Sequence, residues 1–153
     1  MDQIGLADRG TTVPRDAASR AAVCYDGTPG SIAAARLFTA EFLERVAAEP
    51  SARVSAEAVG TAQLIVSELV TNACKYAPGP CLLDLELTGG PGGGSVLEIT
   101  VWDANPEPPV PYTTEPGRVG RHGLEIVLAL TEGFDVGREP VGKRIGVRLP
   151  LGP

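Results

Sequence analysis

The sequence predicts an α+β fold: a two-layer α/β sandwich with a mainly antiparallel sheet and helices on one face. Three observations carry this. The first half holds two long segments whose apolar residues recur at helical spacing. The second half holds four short segments in which apolar and polar residues alternate. Those four form two pairs, each joined by a glycine-containing connection too short for a parallel crossover. With a short apolar helix between the pairs, the predicted order is helix, helix, strand, strand, helix, strand, strand.

Each element follows from its residues. Met1 to Pro29 show no sustained period and read as a flexible N-terminal arm, leaving residues 30–153 as a single domain. Ser31 can cap a first helix running to about Ala48, with Ala34, Leu37, Phe38, Glu41, Phe42 and Val46 as its largely apolar stripe. Pro50 ends it. Ser55 starts a second helix that stops before Pro78. Cys81 to Leu87 carry apolar residues at the odd positions, and in Val96 to Asp103 the face is Leu97, Ile99 and Val101. Gly89 to Ser95 join them as a flexible hairpin loop. A Pro-rich loop from Ala104 to Pro116 is long enough to suggest a lid. The third helix spans Leu124 to Leu130, and strands Gly133 to Arg138 and Arg144 to Leu151 close the chain.

Composition excludes several function classes. The 153 residues are 43% hydrophobic and 21% charged, as in a globular domain with a real core. The net charge is −6, with no basic stripe, which argues against nucleic acid and against anionic membranes. No apolar run approaches the roughly 20 residues of a membrane span, and no secretory pattern opens the chain. Cys24, Cys74 and Cys81 are odd in number and form no CxxC pair. They read as reduced thiols, and the expected location is cytoplasmic. A polyanion would therefore be bound locally, through backbone amides, one or two cations and a metal ion.

The second helix holds the most informative stretch, Ser67-Glu68-Leu69-Val70-Thr71-Asn72-Ala73-Cys74-Lys75. At about 100° per residue, Ala62, Ile65, Val66, Leu69, Val70, Ala73 and Ala77 form one apolar arc. Glu68, Asn72 and Lys75 share a line beside it, at i, i+4 and i+7. The helix alone leaves two readings. One is a solvated polar edge. The other is a site at the helix–sheet seam, with an amide oxygen for a metal, a carboxylate for a proton and a lysine for an anion. Asp103 favours the second. It continues the parity of Leu97, Ile99 and Val101, so its carboxylate points to the buried face and needs a partner, such as an exocyclic amine. Gly117, Gly120 and Gly123 precede the third helix, where freed backbone amides can cradle an anion. His122, the single histidine, reads as a loop side chain or a phosphate contact. Lys143 and Arg144 read as a solvated turn, unless Lys143 faces a phosphate. Trp102 and Tyr76 read as core or seam aromatics.

Glu68-x-x-x-Asn72, an Asp closing a strand, and a glycine-rich loop entering a helix together resemble the GHKL ATPase and kinase superfamily. The likeness is closest to the anti-sigma-factor serine/threonine kinases and short actinobacterial ATP-binding regulatory proteins, and it covers Ser31 to Leu151. It implies the Bergerat, or histidine-kinase-like ATPase, fold with ATP and Mg2+ as cofactors. It implies Glu68 as the general base, Asn72 as the magnesium ligand and Asp103 as the acceptor of the adenine amino group. It also implies nucleotide contacts from Lys75, Gly117, Gly120, His122, Gly123 and Leu124. The chain departs from the superfamily's DxGxG, reading Asp103-Ala104-Asn105-Pro106, and keeps one glycine of a GxG pair in Arg121-His122-Gly123. The implied activity is phosphorylation of a small protein partner, an anti-sigma antagonist or a sigma factor. A nucleotide-sensing module without turnover is the alternative, and a homodimer is left open.

Overall fold

The computed structural model describes residues 11–13, 20–49, 53–76, 79–89, 94–103, 131, 133–139 and 142–152. The elements are β1 (Thr11–Val13), β2 (Arg20–Tyr25), α1 (Gly30–Ala47), α2 (Ala56–Tyr76), β3 (Cys81–Gly89), β4 (Ser95–Asp103), β5 (Gly133–Glu139) and β6 (Gly142–Pro150). The strands form one sheet in the order β1-β2-β3-β4-β6-β5, with every neighbouring pair antiparallel. The expected third helix, the Pro-rich loop and Ala77 lie outside the described residues.

Alternation divides the sheet into two faces. Val23, Leu83, Val101 and Ile145 are aligned across β2, β3, β4 and β6, and the next row holds Leu85, Ile99 and Val147. All are buried and share one core with α1 and α2. The other face carries a charged row: Arg20, Glu86, Glu98 and Arg148 lie opposite one another in sequence across the same four strands. Glu86 and Glu98 face each other as like charges, but Arg148 pairs with Glu98, and Arg20 lies 4.0 Å from Glu86. Arg20 also grips Asp84 with two donors, Nη2 at 2.8 Å and Nε at 3.3 Å, and this raises the arginine's pKa further.

Part of the expected arm is sheet. Thr11–Val13 and Arg20–Tyr25 are strands, and β2 pairs with β3 along its whole length. The period was hard to read because the run is short and Ala-rich. Tertiary pairing, not local pattern, makes it a strand.

The first helix also differs in its face. Its buried residues are Ser31, Ala35, Thr39, Phe42, Leu43 and Val46, whereas Leu37 is 49% exposed. Thr39 can be buried because its hydroxyl donates to the Ala35 carbonyl at 2.8 Å, so a polar residue occupies the inner stripe. Ser31 is not the cap. It lies inside the helix and donates to Asp26 at 3.3 Å. The second helix follows its sequence closely. Ser55 Oγ accepts from the Ala58 amide at 3.0 Å as an N-cap, and Ala62, Ile65, Val66, Leu69, Val70 and Ala73 are buried.

Both ends of α2 are tied down. At its start, the Ser55 amide donates to the Leu151 carbonyl at 3.0 Å, and the Leu151 amide donates to the Ser95 carbonyl at 2.9 Å. Near its end, Cys74 Sγ lies 3.7 Å from the Thr28 carbonyl. Thr28 belongs to a turn in which the Asp26 carboxylate accepts from the Thr28 amide and hydroxyl, holding Asp26 below the usual carboxylate range. Gly27 in this turn has φ +89, and a Cβ there would meet the Gly79 carbonyl oxygen at 2.1 Å. Gly27→Ala therefore combines left-handed strain with a clash against backbone. It should destabilise by about 2 kcal/mol or more and lower Tm by about 4–8 °C in thermal unfolding. A Tm within about 1 °C of the parent would contradict this close approach.

Candidate functional site

Helix α2 lies over β4 and also touches β3 and β6. Its first residue follows the Ser55–Leu151–Ser95 junction, at the start of β4. The helix has 21 residues and the strand 9, so the helix is about 31 Å long and the strand about 30 Å. At the far end, Cys74 of α2 reaches the Thr28 carbonyl just beyond Tyr25 of β2, Tyr25 pairs with Cys81, and the next residue, Leu82, pairs with Trp102 beside Asp103. Asn72, near the end of α2, and Asp103, the last residue of β4, thus belong to the same end of the sandwich.

The four described candidates differ in exposure. Asn72 is 7% exposed and Asp103 8%. Glu68 is half-buried one turn before Asn72, and Lys75 is exposed in the last turn of the helix. A lysine there suits the negative end of the helix dipole. Asn72 is the polar break in an otherwise apolar buried face, which is costly unless its amide has work there. Gly117, Gly120, His122, Gly123 and Leu124 lie outside the described residues.

Asp103 has a partner that the sequence reading missed. Lys143 Nζ lies 3.2 Å from its Oδ2, and the two side chains are 1% and 2% exposed. Lys143 is therefore neither of the two things its sequence allows, a solvated turn residue or a cation open to a phosphate. The signal was present in the pattern: Lys143 shares the parity of Ile145, Val147 and Leu149, so in β6 it must point inward. Arg144, one residue on, points to the other face and lies over the Trp102 ring at 5.7 Å. Trp102 is half-buried on that face.

The thiols remain free among the described residues. Burial pushes Cys81 up to about 12 and raises Cys74 as well, so both stay protonated at neutral pH. Among the described residues no three His, Cys, Asp or Glu side chains cluster as a metal site, and no helix is long and apolar enough to cross a membrane.

The donor set is thus a buried amide, a buried carboxylate held by an ammonium, and a half-buried carboxylate one helical turn away. It can hold a hard cation through oxygen, accept a hydrogen bond from a ligand amine and accept a proton.

Solved structures similar to the chain include histidine kinases. The Erythrobacter litoralis EL346 blue-light activated histidine kinase aligns at 20% identity over 80% of this chain and 46% of that one, with a TM-score of 0.47. The histidine kinase domain from the same protein aligns at 22% identity over 74% of this chain and 61% of that one, with a TM-score of 0.46. The chain spans less than two thirds of the length of either. No curated protein matches it. The family described as Histidine kinase-like ATPase domain matches residues 26–149, from the turn before α1 to the end of β6. On that match the chain belongs to the histidine kinase-like ATPase domain family, within the GHKL superfamily.

Proposed function

We propose that the protein is an ATP-binding regulatory protein that phosphorylates serine or threonine on a small protein partner of the anti-sigma type. The observation that supports this most is the Asp103 carboxylate, whose side chain is 2% exposed at the helix-facing end of β4. A buried acceptor of this kind suits a base bearing an exocyclic amine, and family membership implies ATP.

The described donors fit the nucleotide and its metal. When bound, ATP supplies the transferable phosphoryl group and Mg2+ neutralises its charge. In this reading the Asn72 side-chain oxygen is the protein ligand for the metal, a hard cation that keeps several waters. Asp103 accepts from the base amine and so orients the nucleotide. Glu68 accepts the proton of the incoming hydroxyl. The partner is a protein antagonist of a sigma factor, or the sigma factor itself.

The test is the appearance of γ-labelled phosphate on serine or threonine of the co-purified partner. Transfer is expected. ATP binding with no transfer from the parent protein to its true partner would replace the kinase reading with that of a nucleotide sensor. Asn72→Ala should keep the fold, since Ala is the better helix former. It should weaken Mg2+-dependent ATP binding by roughly ten- to a hundredfold, the range of a lost contact to a charged group. Calorimetry with and without Mg2+ checks this. Parental affinity and parental metal response would make Asn72 a seam residue only.

A further inference from the structure

We infer that Lys143 is a positioning residue for base recognition, acting through Asp103; this deepens the ATP-binding reading above and rests on it. The β4–β6 register sets Asp103 directly opposite Lys143. The pairs that precede it on the same face are apolar: Leu97 with Leu149, Ile99 with Val147, Val101 with Ile145. Only at the last rung does an ion pair replace them, at the end of the sandwich that carries Asn72.

Stability alone does not account for such a pair. Two charges taken out of water recover little net energy, and apolar residues of similar volume commonly serve a core as well. The neighbouring rungs show that this face accepts aliphatic pairs. What an ammonium 3.2 Å from Oδ2 does provide is a fixed carboxylate. An aspartate gripped by a buried ammonium has lost much of its freedom to rotate before any ligand arrives. An acceptor already held in place loses less on binding than a mobile one. Lys143 itself is 1% exposed and engaged with Asp103, so its effect on a nucleotide passes through that carboxylate.

This predicts a particular coupling between residue and ligand. The probes are ATP and purine riboside triphosphate, which lacks the 6-amino group, each titrated by calorimetry into the parent, Lys143→Met and Lys143→Arg. Folded fraction is followed by circular dichroism. Lys143→Met should weaken ATP by roughly ten- to a hundredfold, the range of a charge-assisted hydrogen bond. It should change the amine-free analogue by less than about threefold, because that ligand makes no use of Asp103. Lys143→Arg, which keeps the charge, should restore at least part of the preference for ATP. If Lys143→Met does not fold, Lys143→Gln replaces it. Its amide still donates to Asp103, and a smaller loss confined to ATP is expected. Equal losses for both nucleotides, or an unchanged preference for ATP, would overturn the inference. So would loss of the fold in all three variants, which would make the pair structural. A parent that binds neither nucleotide would instead remove the ATP-binding reading itself.

Discussion

Glu68→Gln should keep ATP affinity within about an order of magnitude of the parent and remove nearly all phosphate transfer to the partner. Glu68 stands one helical turn before Asn72 on the same line of α2, so a metal held by Asn72 would bring the phosphates near it. It is half-buried, not part of the closed apolar arc, so the isosteric amide should leave packing intact. A group that accepts a proton as the new bond forms acts chiefly in the transition state, and its loss costs rate more than binding. Removing a general base costs about 10²- to 10⁴-fold. Paired calorimetry and label transfer decide this, and parental transfer rates would remove Glu68 from the chemistry.

Asp103→Asn should lose on two counts. It leaves the Lys143 ammonium, 1% exposed, without its counter-ion. Breaking one side of a buried pair costs about 3–5 kcal/mol, which corresponds to a Tm lower by about 10 °C for a chain of this size. It also replaces a charged acceptor with an amide that presents donors as well, so ATP affinity should fall by roughly tenfold or more. The two losses separate experimentally. Thermal unfolding reports the first, and titration well below the new Tm reports the second. A variant that is destabilised but binds ATP normally would assign the pair to the fold alone.

Much of the architecture was legible because it rests on local rules. The arc of α2, its Ser55 cap and the alternation of β3, β4 and β6 all follow from spacing. Other features depend on partners distant in sequence. Strand β2 exists through pairing with β3, some sixty residues away. The rotated face of α1 needs a threonine satisfied by its own helix, which hydrophobicity alone does not register. In the site, parity put Asp103 inward, and a burial argument demanded a partner. The partner, Lys143, is forty residues on. Read beside Glu139 to Gly142 it resembled a turn, whereas strand β6 already begins at Gly142. A lysine is ordinarily the last residue to place in a core, so composition argued against the position that register dictates.

The most direct measurement is calorimetric titration of the parent protein with ATP, ADP and GTP in the presence of Mg2+. ATP and ADP should bind with micromolar-range affinity, and GTP much more weakly. A buried acceptor at Asp103 would reward the 6-amino group of adenine and meet a carbonyl at that position of guanine, and sites that must satisfy a buried polar group discriminate strongly. Equal affinity for ATP and GTP would contradict the assignment of Asp103 to the base, and with it the account of this seam as an adenine nucleotide site.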